Sequence, residues 1–125
     1  LVNVSARNQV GTGDDILIAG FNIAGTGTEQ LLFRAVGPKL AAFGVTGFLV
    51  DPKLELYSGS TKLNENDSWS ANLAATFTAV GAFALDAGSR DAALLTTLEP
   101  GSYTVQVSGV NNGTGEALIE IYEVP

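Results

Sequence analysis

Few positions in this sequence could do chemistry. The most polar run is Asn64-Glu65-Asn66-Asp67-Ser68-Trp69, reached from Asp51-Pro52 through a short apolar segment. Calcium is held by about six to eight oxygens from carboxylates, amides and backbone carbonyls, and a loop of this composition can offer several. The run lacks the Asp-x-Asp/Asn-x-Asp/Asn-Gly spacing of an EF-hand. A capped turn, with Asn66 or Asp67 accepting from backbone amides ahead of Trp69, accounts for it equally. A second acidic group is Asp86 and Asp91 with Arg90. Two carboxylates about 5–9 Å apart can act as acid and base in glycoside hydrolysis, yet the Gly and Ser residues around Asp86 read as turn chemistry. Arg34 stands inside the apolar run Leu31-Leu32-Phe33-Arg34-Ala35-Val36. A buried guanidinium requires a carboxylate, and Asp91 and Glu120 are the candidates. Trp69, the single tryptophan, either plugs the end of a sandwich or forms with Tyr57 a platform for sugar rings, Asn64 or Asp67 bonding hydroxyls. Tripeptides beginning at Asn3, Asn66 and Asn112 are N-glycosylation sequons.

What is missing narrows the chemistry further. The 125 residues include no histidine, cysteine or methionine. The usual general bases, thiolate nucleophiles and zinc or copper ligands are therefore absent. Carboxylates, hydroxyls, lysine, arginine and tyrosine remain, which leaves room for a carboxylate-pair hydrolase or an oxygen-ligand calcium site. No activated nucleophile or base is legible, so no catalytic residue is assigned and a non-enzyme is expected. Thirteen acids against six bases give a net charge of -7, a sign that repels phosphate backbones and anionic lipids. Neither a nucleic-acid partner nor membrane insertion is expected, and the apolar runs are shorter than the roughly 20 residues of a membrane helix.

Apolar residues make up 46% of the chain and charged ones 15%, too apolar for a disordered segment, and the length fits one domain spanning 1–125. Fifteen glycines fall mostly between short apolar runs, the spacing of an all-β chain with many turns. Strands are predicted at 1–7, 16–23, 30–36, 53–58, 61–64, 92–98, 102–110 and 117–124. Alternation is clear at Tyr103-Val105-Val107 and at Leu54-Leu56. In the last strand Ala117, Ile119 and Ile121 face one way, and Leu118, Glu120 and Tyr122 the other, an outward face more apolar than water requires. A helical turn is predicted at 38–43, opened by Pro38 and stopped by Gly44, and a short helix at 70–80, ended by Gly81. Three echoes, Gly11-Thr12-Gly13-Asp14, Gly25-Thr26-Gly27-Thr28-Glu29 and Gly113-Thr114-Gly115-Glu116, read as hairpin turns of one type. The expected fold is an antiparallel β-sandwich, jelly-roll-like, of about eight or nine strands, with the short helix across one open end.

Several segments together resemble a bacterial extracellular module of verrucomicrobial type. They are Leu1-Val2-Asn3-Val4-Ser5-Ala6-Arg7, Val10-Gly11-Thr12-Gly13-Asp14-Asp15, Leu17-Ile18-Ala19-Gly20-Phe21 and Phe33-Arg34-Ala35-Val36-Gly37-Pro38, then Asp51–Tyr57, Asn66–Trp69, Asp91–Leu95 and Pro100–Val105. From Asp51 onward the chain is also distantly similar to the pre-peptidase C-terminal domain, a β-sandwich accessory to secreted hydrolases. That resemblance implies Asp51, Asn66 and Asp67 as calcium ligands, calcium being the one cofactor in view, and brings no catalytic centre. It also implies an extracellular or cell-surface location.

The expected function is a structural module that associates with copies of itself or with like modules through terminal edge strands, into a surface layer or filament. Its interface residues are expected to be Leu1, Val2, Val4, Leu118, Glu120, Tyr122 and Val124. The alternative is a calcium-assisted module binding polysaccharide or another cell-surface polymer.

Overall fold

The computed structural model describes residues 3–125. Eight strands form two antiparallel sheets: β1 (Asn3–Val10), β2 (Leu17–Ile23), β3 (Glu29–Val36), β4 (Pro52–Ser58), β5 (Thr61–Asn66), β6 (Ala92–Leu98), β7 (Gly101–Gly109) and β8 (Gly115–Glu123). One sheet runs β1-β8-β3-β6 and the other β2-β7-β4-β5. Apart from the β4–β5 hairpin, consecutive strands alternate between sheets, which is jelly-roll topology. The fold class read from the sequence is therefore the observed one.

Between the sheets lies the main core. Phe33, Leu31 and Ala35 of β3 and Ile119, Ile121 and Ala117 of β8 meet Leu54, Leu56, Val105, Val107 and Phe21 of the other sheet. These are the inward positions of period-2 strands, so burying them fixes register. The β2-β7-β4-β5 sheet turns its other face to solvent, where Lys53, Glu55, Tyr57, Thr104 and Gln106 are only partly covered.

The opposite sheet differs, because along β8, β3 and β6 it is covered on both faces. Leu32, Val36, Ala93 and Tyr122 point away from the main core, yet they are covered by Trp69, Phe77, Leu85 and Leu40. The covering chain is the connection from β5 to β6, residues 67–91. It contains a 3-10 turn at Ala71–Leu73 and α1 (Ala74–Val80), ended by Gly81 in the left-handed conformation at φ 77°. Helix, turn and loop together make a roof over the outer face of β8, β3 and β6. The short helix thus lies on a sheet face, not across an open end as expected, because the apolar stripe of β8 supplies a surface for Phe77 that a sandwich end lacks. The predicted turn at 38–43 is a 3-10 helix, Pro38–Phe43, with Gly44 at φ 83° behind it.

Two further expectations are corrected. The glycine echoes do not close hairpins. Each joins strands of opposite sheets, since β1 pairs with β8, β2 with β7, and β3 with β8 and β6. Nor is β8 an edge strand: β1 pairs with it from Gly115 to Tyr122 and β3 from Leu118 to Glu123, with Phe48 bridging to Glu116. A strand with neighbours on both sides has no free ladder to offer another chain.

Candidate functional site

The most constrained polar group sits under the roof. Arg34 of β3 and Glu120 of β8 are direct cross-strand partners, both on the outer face. The Arg34 side chain is fully buried, and its Nε donates to Glu120 Oε1 at 2.9 Å. Its Nη1 donates to the Phe83 carbonyl at 2.6 Å, which ties the roof to the sheet. The guanidinium lies between the rings of Phe77 and Phe83, 4.6 and 4.5 Å from their centroids. A planar, weakly hydrated cation suits such a slot better than lysine would. Tyr122 Oη donates to the other oxygen of Glu120 at 2.6 Å. Burial, reinforced by that bond to a carboxylate, pushes the Tyr122 phenol far above its ordinary range. Of the two partners foreseen for Arg34, Glu120 is the one used.

Asp91 does a different job. It is completely buried, and its Oδ1 accepts from the backbone amides of Gly37 at 2.8 Å and Lys39 at 3.3 Å. Those amides open the 3-10 helix Pro38–Phe43, so Asp91 satisfies donors that a helix start leaves unpaired. Ser89 Oγ donates to its Oδ2 at 2.8 Å. Asp86, the other member of the expected acid pair, is an exposed partner of Lys39 Nζ at 3.2 Å. One carboxylate caps and the other is solvated. This is not the facing pair that glycoside hydrolysis uses.

Of the residues named as calcium ligands, Asn66 and Asp51 have partners of their own. Asn66 Oδ1 accepts from the Ala93 amide at 3.1 Å and its Nδ2 donates to the Ser68 carbonyl at 3.0 Å. Asp51 Oδ2 faces Arg90 at 3.9 Å while its Oδ1 is buried without a hydrogen-bond partner, and Asp67 is exposed. Among the described residues, no group of three or more acidic, histidine or cysteine side chains converges as a metal centre. Of the sequon asparagines, Asn66 is engaged at both ends, whereas Asn112 is exposed with φ at 61° in the β7–β8 connection. The Asn3 side chain lies outside the described residues.

Trp69 is buried against Phe77, ring centroids 5.2 Å apart, and its indole nitrogen donates to the Asp86 carbonyl at 3.0 Å. It anchors the roof and offers no open face to a sugar. Tyr57 is different, since it lies on the bare sheet face in the cross-strand row Gly20–Thr104–Tyr57–Lys62. Beside it Lys62 is held by Glu65 at 2.6 Å and Glu55 at 3.4 Å. The Glu65 bond raises the Lys62 pKa and in turn lowers that of Glu65, both on exposed side chains where solvent screens the pair. An open depression of about 530 Å³ near the end of β8 is lined by Glu29, Gln30, Val80 and Val124 among others.

Most of the expected interface is covered by the chain itself. Glu120 and Tyr122 are buried, Leu118 and Val124 pack into the roof cluster, and Val4 packs against the main core. Leu1 and Val2 lie outside the described residues. The sequence reading missed the intramolecular cover, although the apolar face of the 70–80 helix was a signal that β8 would have a partner within the chain.

The four sheet edges are not equally guarded. β5 is short and charged, with a register shift in its pairing beside Tyr57. β6 is blunted where Asn66 takes the Ala93 amide and where Trp69 donates to the Asp91 carbonyl at 2.9 Å. β2 carries Gly20 in its middle. β1 has eight residues in unbroken register with β8 and contains no proline, glycine or lysine. It is the longest of the four edges, and its one charge is Arg7.

Fold and site together define a jelly-roll β-sandwich with one roofed sheet and one bare sheet. A solved structure similar to it is the pre-peptidase C-terminal domain of collagenase from Bacillus anthracis, with a TM-score of 0.57 and 12% identity over 96% of this chain and 89% of that one. The likeness seen in the sequence thus extends to the fold. No family model matches the chain, and no curated protein does either.

Proposed function

We propose that this chain is a non-catalytic extracellular structural module, of the verrucomicrobial type that its sequence resembles, which associates with copies of itself. The supporting observation is the long β1 edge, which has no proline, glycine or lysine, set against the two buried acids, Asp91 and Glu120, both of which are bonded within the chain. The similar fold belongs to a domain of a collagenase, which agrees with an accessory role outside the cell. Of the two terminal strands expected to form the association surface, β1 is kept and β8, which is interior to its sheet, is dropped. Sedimentation over a wide concentration range, with negative-stain microscopy, tests the reading. Oligomers or filaments growing with concentration are expected, and a strictly monomeric chain refutes it.

A second reading rests on Tyr57. On the bare sheet face its ring has Gly20 and Thr104 along its row, a shallow lane in which a sugar ring could stack, with Gln106 and Lys62 as polar neighbours. A glycan array with a Tyr57→Ala control tests it. This reading uses neither Trp69 nor the proposed calcium ligands.

A further inference from the structure

We infer that copies of this chain join by exchanging β1: the strand of one copy leaves its own β8 and takes the same register on the β8 of the next. The inference rests on the self-association reading above and specifies its mechanism.

Three observations carry it. First, β1 is held almost wholly by one neighbour. Its eight residues pair with β8 from Asn3↔Tyr122 to Val10↔Gly115, and among the described residues no strand lies on its other side. Second, the strand is poorly sealed into the core. Ala6 and Asn8 lie opposite the fully buried Ile119 and Ala117, and so face inward, yet both are exposed. Among the described side chains of the strand, Val10 is the one fully buried. Third, β1 connects to β2, in the other sheet, through a compact hinge. Gly11 donates to the Asp15 carbonyl at 2.6 Å, Asp15 donates to the Thr12 carbonyl at 3.1 Å, and Gly13 sits at φ 63°. Two backbone bonds and one left-handed glycine are what must open for the strand to swing away.

The exchanged state remakes what the closed state had. The ladder, the burial of Val10 and the Arg7–Glu116 ion pair at 3.6 Å all recur between chains. Association then costs hinge opening and lost translational freedom, while no pairing is sacrificed. A copy that gives its strand in one direction and receives another from the opposite direction makes a heterologous contact. Such contacts propagate as an open chain.

Because the native chain has no cysteine, a disulfide can report which β1 lies on which β8. Gln9 and Glu116 are cross-strand partners. Antiparallel partners have Cα atoms about 4.5–5.5 Å apart, within the span of a disulfide. The variant is Gln9→Cys/Glu116→Cys. Oxidised as a monomer, it has β1 stapled to its own β8 and is expected to lose assembly, with reduction restoring it. Oxidised after assembly, it is expected to run as a covalent ladder on a denaturing gel without reductant. A stapled chain that assembles like the native one overturns exchange and leaves self-association standing. Assembled material that yields uncrosslinked-length monomers alone does the same, and a covalent dimer with nothing longer overturns the open chain. A native chain that never assembles removes both readings. Asn8→Cys/Ala117→Cys repeats the test should the reduced first variant fail to assemble. Ala6→Lys gives an independent check. A charge there blocks addition of a foreign strand alongside β1 but finds identical surroundings after exchange, so exchange predicts assembly retained and edge addition predicts it lost.

Discussion

Replacing Arg34 with methionine isolates the group that fastens the roof. Methionine fills much of the slot between Phe77 and Phe83 but leaves Glu120, 6% exposed, without its cation. Removing one partner of a buried ion pair costs about 3–5 kcal/mol, because the remaining charge is desolvated and uncompensated. Two local features pull in opposite directions. The bond to the Phe83 carbonyl is lost, whereas Arg34 Nη2, buried with no partner, no longer has to be desolvated. The expected cost therefore stays near the middle of that range. Against a total stability of about 5–15 kcal/mol this is a large fraction. For a domain of this size it lowers the melting temperature by about 10–20 °C. Calorimetry and urea unfolding measure it. Arg34→Met/Glu120→Gln removes both charges and keeps an acceptor for Tyr122, so it is expected to lie within about 2 kcal/mol of the native chain. A single variant costing less than about 1 kcal/mol, or a double variant costing the sum of its parts, would refute the argument that this pair is buried and coupled.

Other perturbations probe other parts. Asp91→Ala strips the acceptor from the Gly37 and Lys39 amides and is expected to cost about 2–3 kcal/mol in urea unfolding. Trp69→Ala should cost about 3–5 kcal/mol and speed proteolysis within residues 70–90 before either sheet is cut. Alkaline pH acts through Tyr122, whose phenol is held neutral by burial and by its bond to Glu120. In the unfolded chain that phenol ionises near pH 10, so its contribution is intact below about pH 10 and is lost as pH rises beyond it. Ultraviolet titration should show one phenol ionising together with unfolding, a feature missing from Tyr122→Phe.

The strands were legible because one face of each sheet is a period-2 apolar row, as at Leu54-Leu56 and Val105-Val107, and glycine marks their ends. Sheet membership was not. A glycine at φ 63° or 95° announces a turn but says nothing of whether the next strand returns beside the last or crosses to the other sheet. Jelly-roll pairings such as β1 with β8 join residues over a hundred positions apart, and no local pattern encodes them. Arg34 was legible as paired because β3 is apolar at successive positions, the mark of a strand buried on both sides. Its choice of Glu120 over Asp91 follows from register, which only the assembled sheet supplies. The same double burial explains the misread face of β8. Leu118 and Tyr122 are apolar for a partner, and that partner is residues 67–91 of their own chain.

The roof makes the two broad sides of the molecule unlike. One is quilted by loop and helix, with its carbonyls and side chains fixed by Arg34 and Trp69. The other is a naked pleat of lysine, glutamate, threonine and tyrosine. A fabric woven from such units in a constant orientation has a right side and a wrong side. Whatever touches it from outside meets a different texture from whatever lies beneath.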